Sequence, residues 1–113
     1  MKNTVNILGT KYTIMINKER CEESNSAGMC EVYSKRIYLD DLQNDEENSM
    51  ENIDPYYKNK TLRHEILHAF LYESGLFVNS NLNNAWARNE EMVDWFAIQS
   101  PKIFKVYEEL GIL

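Results

Sequence analysis

The sequence has few of the features of a secreted or membrane-spanning protein. Its only two cysteines, Cys21 and Cys30, match neither a disulfide framework nor a Cys-x-x-Cys motif. No apolar run approaches the roughly 20 residues that a transmembrane helix needs. Polar residues interrupt the first nine positions too early for the apolar core of a signal peptide. We therefore expect a cytoplasmic protein whose two thiols are reduced and buried as small apolar groups.

Positive charge is also scarce. Twelve Lys and Arg residues stand against eighteen Asp and Glu, which gives a net charge of −6. A field of this sign repels phosphate groups, so we expect neither a nucleic-acid partner nor an anionic membrane partner. The 113 residues are enough for one hydrophobic core, and we predict a single domain over residues 1–113.

The acidic residues are concentrated in one segment. Residues 40–51 hold six of the eighteen. Such a segment is either a lid or recognition loop for a basic substrate, or a solvated loop without a specific role. The composition alone favours the solvated loop.

The first forty residues have the pattern of a small sheet. Apolar and polar residues alternate on both sides of Gly9-Thr10, which predicts a β-hairpin. A similar pattern over residues 29–40 predicts two more strands, whereas the polar residues 17–28 are expected to form a loop with at most a short helical turn. We therefore expect a small N-terminal antiparallel sheet.

The rest of the chain is predicted to be helical. Asp54 is a suitable N-cap, Pro55 suits the first helical position and Gly75 suits the position after the last turn. Pro101 is expected to end a second helix before a short third one begins. The predicted helices cover residues 55–74, 85–99 and 102–110. The predicted fold class is α+β, with the sheet packed on the first helix and the two later helices following it.

The first of these helices carries the motif His64-Glu65-Ile66-Leu67-His68. Two histidines four residues apart project from one face of a helix, so both imidazoles can bind one metal ion. Glu65 lies about 100° round the helix, where its carboxylate can accept a proton from a metal-bound water molecule. The motif therefore indicates a catalytic metal site.

The third protein ligand must be Glu, Asp or Cys, because the sequence has no other histidine. Glu90 shares the apolar face of the second helix with Val93 and Ala97, where a metal ion would offset the cost of burying a carboxylate. Its neighbour Glu91 lies about 100° further round, towards solvent. Asp94 follows Glu90 by one helical turn. We therefore favour Glu90 over Glu91 as the third ligand.

The H-E-x-x-H motif at residues 64–68, followed by Asn89-Glu90-x-x-x-Asp94, resembles the gluzincin zinc peptidases. More narrowly, it is similar to the ImmA/IrrE metallopeptidases of bacteria and phages. The resemblance implies a zincin-like fold, with Glu65 as the general base and Asp94 orienting a ligand histidine. The implied zinc ligands are His64, His68 and Glu90.

The resemblance implies a zinc-dependent metallopeptidase, in particular an endopeptidase that hydrolyses a peptide bond in a protein substrate through a zinc-bound water. Tyr72, Tyr57 and Tyr38 are candidates for stabilising the oxyanion. One of the strands within residues 29–40 is expected to bind an extended peptide by edge addition.

Two other functions fit the same residues. One is a non-catalytic phage or bacterial protein that uses zinc for folding or partner binding. The other is an acidic interaction protein in which the motif occurs by chance and no metal binds. Glu65 favours the enzyme, because a structural zinc site needs no base beside its first histidine.

Overall fold

The strands all lie in the first forty residues and form one sheet. The structure, a computed structural model, describes residues 4–40, 55–79 and 85–113. The strands are β1 (Thr4–Ile7), β2 (Thr10–Ile16), β3 (Gly28–Glu31) and β4 (Arg36–Leu39). Their order in the sheet is β1-β2-β4-β3, so that β1 and β3 are its edges among the described residues. The predicted hairpin and the two later strands are therefore present.

The sheet is mixed, and the expectation of a wholly antiparallel sheet is wrong. β2 and β4 are parallel, whereas β1 with β2 and β3 with β4 are antiparallel. The cause is a short helix, α1 (Lys18–Glu23), in the segment expected to be a loop. It begins because the Asn17 side chain accepts a hydrogen bond from the Arg20 backbone amide at 3.0 Å. The chain then returns along the far edge as β3, and β4 fits between β2 and β3.

One face of the sheet packs on the helix α2 (Pro55–Glu73). Leu62 and Ile66 of α2 adjoin a core whose buried members are Ile7, Tyr12, Ile14, Ile37, Leu39 and Ala69. Gly75, with a φ of +86°, lies just beyond the end of α2, as predicted. The carboxylate of Glu73 accepts hydrogen bonds from Thr10, Tyr12 and Lys35, and these donors, Lys35 foremost, hold its pKa below the usual range. The C-terminal end of α2 is thereby attached to the sheet.

The last long helix is continuous, and the expected break at Pro101 is wrong. After a single turn of 3-10 helix (Trp86–Arg88), α3 runs from Glu90 to Glu109 with Pro101 inside it. Proline has no N–H, so Ala97, four residues earlier, loses the usual partner of its carbonyl. Arg63 of α2 replaces that partner, because its Nε donates a hydrogen bond to the Ala97 carbonyl at 2.7 Å. The two helices expected on either side of Pro101 are therefore one.

We expect Arg63→Met to lower the free energy of unfolding by about 1–3 kcal/mol, because it leaves the Ala97 carbonyl without its donor. In a Pro101→Ala background the restored N–H can donate to Ala97, so the same substitution should cost clearly less. Urea denaturation of the four chains measures both costs. Equal costs in the two backgrounds would show that Arg63 does not act through this carbonyl.

Two predicted features fall outside the described residues: the acidic segment after Asp40 and the N-cap at Asp54. None of the described helices is long and apolar enough to cross a lipid bilayer.

Candidate metal centre

Three side chains from the two long helices converge on one point. The Nε2 atoms of His64 and His68 lie 3.1 Å apart. Oε1 of Glu90 lies 3.1 Å from Nε2 of His64 and 2.7 Å from Nε2 of His68. The structure thus brings together the three ligands that the sequence predicted, and these residues form a group that could hold a metal ion.

The first turn of α3 places Glu90 beside the histidines. Asn89 is the N-cap of α3, and its side chain accepts a hydrogen bond from the Met92 amide at 2.8 Å. The helix therefore begins at Glu90 rather than at Ala85. The expected burial of Glu90 is wrong, because 70% of its side chain is exposed at this first position of the helix. Glu90 reaches the histidines from the solvent side of the cluster.

The geometry and chemistry of the three groups suit a divalent metal ion. Tetrahedral coordination with metal–ligand distances of about 2.0–2.1 Å places ligand atoms about 3.3–3.4 Å apart. The observed separations of 2.7–3.1 Å are only slightly shorter. Burial lowers the pKa of His68, which favours the neutral imidazole that metal binding requires. Two imidazoles and a carboxylate are a donor set that zinc accepts, and the arrangement itself does not select one metal.

Asp94 lies within hydrogen-bonding distance of one of the two histidines. Its Oδ1 lies 3.2 Å from Nδ1 of His64 and accepts a hydrogen bond from Nζ of Lys60 at 3.0 Å. If Nδ1 of His64 donates to this carboxylate, the lone pair of Nε2 points at Glu90 and His68. The Lys60 ammonium, and to a smaller degree His64, hold the pKa of Asp94 below its usual range. The role of Lys60 was not predicted, because its partner lies on another helix.

We expect Asp94→Asn to weaken metal binding about 10–100-fold, the usual effect of removing a group that orients a ligand histidine. Lys60→Met should have a smaller effect in the same direction, because Asp94 keeps its bond to His64 but loses the cation that fixes it. Titration of the metal-free chains against a competing chelator measures both. Lys58→Met, on the same helix, is the matched control, and an equal loss there would contradict the assigned role of Lys60.

Glu65 is buried beside the cluster. Only 7% of the residue is exposed. Burial raises the pKa of Glu65 to about 7, an effect that His64 opposes and Glu90 reinforces. Its carboxylate can therefore both take and return a proton near neutral pH.

Gly28 at the start of β3 permits this burial. A β-carbon there would lie 2.8 Å from Cγ2 of Thr61 and 3.1 Å from Cγ of Glu65. Only a residue without a side chain allows α2 to approach β3 so closely. The role of this glycine was not predicted, because the sequence alone does not show which strand meets which turn of α2.

Two cavities adjoin the cluster. The larger, of about 360 Å³, is within the range of ligand pockets. Its residues are Ser24, Ser26, Gly28, Met29, Cys30, Val32, His64, Glu65, His68, Phe77 and Glu90. The smaller, of about 190 Å³, adjoins Gly28, Lys60 and Asp94, and shares His64 and Glu65 with the larger. His64 and Glu65 thus border open space in both cavities, and Gly28 of β3 lines each of them.

Of the three tyrosines proposed for the oxyanion, only Tyr57 lines either of these cavities. Tyr72 instead packs edge-on against Tyr33, with ring centroids 6.1 Å apart, and Tyr38 is buried in the sheet.

The two cysteines are free thiols. Burial raises the pKa of Cys21 to about 11 and that of Cys30 to about 12, so both stay protonated at neutral pH. Neither belongs to the group that could hold a metal ion.

No protein-family model, curated protein or solved structure matches this chain. The functional argument therefore depends on the geometry of the site and on the sequence motif.

Proposed function

We propose that this protein is a zinc-dependent peptidase that hydrolyses a peptide bond in a protein substrate. The observation that carries the proposal is the position of Glu65, a buried carboxylate beside an open His-His-Glu cluster. The sequence resemblance to the ImmA/IrrE metallopeptidases supports the same function.

The openness of the cluster favours catalysis over a purely structural metal site. A structural zinc ion is enclosed by four protein ligands, whereas a catalytic one keeps a position for water or substrate. Among the described residues the group has three ligands, His64, His68 and Glu90, and it borders a cavity of about 360 Å³. A substrate carbonyl can therefore reach the cluster.

His64, His68 and Glu90 would hold the zinc ion, which would act as a Lewis acid that polarises the scissile carbonyl and lowers the pKa of a bound water. Glu65 accepts a proton from the attacking water and later donates it to the nitrogen of the leaving amine, so its carboxylate ends unchanged. Its burial keeps the carboxylate out of bulk water and close to the reacting groups. Asp94 holds His64 in the tautomer that binds the metal.

The edge strand β3 is suited to an extended peptide. It pairs with β4 along one side, and its other side is a sheet edge among the described residues. Residues of β3 line both cavities beside the cluster, so a peptide added to this edge passes the metal site. Met29, Val32 and Phe77 give the larger cavity apolar walls that suit an apolar substrate side chain.

Metal analysis and peptide cleavage test the proposal. The chain purified without added metal should contain close to one zinc ion. It should also cleave an unstructured protein such as casein, with new termini identified by mass spectrometry. A chelator should abolish cleavage and added zinc should restore it. A chain that takes up no metal on titration would contradict the whole proposal, whereas stoichiometric zinc without cleavage of any peptide in a diverse library would favour the non-catalytic alternative.

A further inference from the structure

A stripe of apolar side chains runs along the side of α3 away from the metal centre. Six residues form this stripe: Met92, Trp95, Phe96, Ile103, Val106 and Leu110. At 100° per residue they fall within an arc of about 100°, in which Gln99 is the one polar residue. Val106 is 51% exposed and Leu110 68% exposed. The stripe has the three- and four-residue spacing of a helix that packs lengthwise against another helix.

The described part of the chain leaves much of this stripe uncovered. From Pro101 to Leu110 every residue except Ile103 is exposed to solvent. Near the start of α3 the stripe leads into an apolar cavity of about 290 Å³ between α2 and α3. Its walls include Phe70 and Leu71 of α2, with Met92 and Phe96 of the stripe. A continuous apolar surface of this kind marks an interaction site on a protein surface.

The charges beside the stripe indicate what covers it. Lys102 and Glu109 are seven residues apart, so they lie about 20° apart on the same flank of the stripe. Neither forms an ion pair with any residue in the described ranges. If two copies of α3 pack antiparallel, Lys102 of each copy faces Glu109 of the other, and two ion pairs form. A parallel arrangement places Lys102 opposite Tyr107 instead and leaves the charges unmatched.

We propose that this protein forms a homodimer in which the α3 stripes of two copies pack antiparallel. Ile103 of one copy then packs against Val106 of the other near the two-fold axis, as a self-complementary interface requires. Glu90 and Asp94 lie about 150° or more round α3 from the centre of the stripe, so the dimer leaves both metal clusters open. In this register Gln99 of one copy lies opposite Leu110 of the other, so only the C-terminal half of each stripe is in contact. The contact has fewer than the roughly 20–30 residues per side of a standard interface, so we expect a dissociation constant in the micromolar range.

Sedimentation equilibrium of the full chain over a wide concentration range tests the dimer. The wild-type chain should shift from monomer to dimer as its concentration rises, with or without a chelator. Leu110→Glu should remain monomeric, because it places a charge within this short apolar contact. Glu108→Lys, on the opposite side of α3, is the matched control and should dimerise like the wild type. Far-UV circular dichroism identifies any variant that has lost its fold.

Charge reversal tests the antiparallel arrangement. Lys102→Glu and Glu109→Lys should each weaken self-association at low salt by about tenfold or more, because each places like charges opposite one another. An equimolar mixture of these two variants should associate at least as strongly as the wild type, since all four charges are then matched in the mixed dimer. The doubly reversed chain should dimerise alone.

Three results would overturn the proposal. The first is a wild-type chain that stays monomeric near 1 mM, a concentration about a thousand times a micromolar dissociation constant. A stripe covered by residues 41–54 of the same chain would give this result. The second is a dimer that Leu110→Glu does not weaken, which would place the interface elsewhere. The third is a mixture of the two reversed variants that associates no better than either alone, which would exclude the antiparallel contact.

Discussion

Glu65→Gln is expected to bind zinc like the wild type and to lose about 10²–10⁴-fold in kcat/KM for peptide hydrolysis. Glutamine has nearly the same shape, so it fills the space beside Gly28 without disturbing the packing of α2 on β3. It cannot accept a proton from water, and the three metal ligands are left in place. Metal content and steady-state cleavage of the same peptide, measured on the same preparation, separate the two effects.

Glu91→Gln is the matched control for this substitution. It makes the same chemical change on an exposed residue and should leave both zinc content and cleavage unchanged. If Glu65→Gln and the wild type cleave the peptide equally fast, Glu65 is not the general base, although the metal site would stand.

The second large expected effect is the loss of zinc affinity when the third ligand is replaced. Glu90→Gln should weaken zinc binding by more than about 100-fold. That value is the upper end of the loss in affinity when a residue that contacts a ligand, but not the metal, is replaced. Glu90 contributes the one anionic ligand, with Oε1 within about 3 Å of both imidazoles. Glu91→Gln should leave the affinity nearly unchanged, because its side chain points about 100° away. Asp94→Asn is expected to fall between the two.

Competition with a chelator of known affinity ranks the three variants. If Glu91→Gln released the metal while Glu90→Gln retained it, the helical phase of α3 at its first turn would be wrong. Such a result would make Glu91 rather than Glu90 the third ligand, and it would leave the histidine pair intact.

Local patterns predicted much of the fold. The alternation around Gly9-Thr10 depends on neighbouring residues and correctly predicted the hairpin. The spacing of His64 and His68 depends only on helical geometry, and their nitrogens do meet. The position of Glu90 beside the histidines was also predicted, but its predicted burial was wrong, since 70% of its side chain is exposed.

The errors arose where a hydrogen-bond partner or a paired strand comes from a distant part of the sequence. The effect of Pro101 was misjudged because the sequence gives no indication that Arg63 supplies a donor to Ala97. The parallel pairing of β2 with β4 was missed because strand order depends on the path of the chain between them. The contact of Lys60 with Asp94 was missed for the same reason. Each of these contacts joins residues that are more than twenty positions apart.

The hydrogen bond from Arg63 to Ala97 also determines how far α3 can slide along α2. Inside a helix every carbonyl normally has a partner, so a neighbouring helix can shift by a turn without losing hydrogen bonds. Pro101 leaves one interior carbonyl that needs an external donor, and Arg63 reaches it in only one alignment. Arg63 precedes His64 directly, and Ala97 lies two turns after Glu90. The proline therefore marks the register in which Glu90 of α3 lies opposite the histidines of α2.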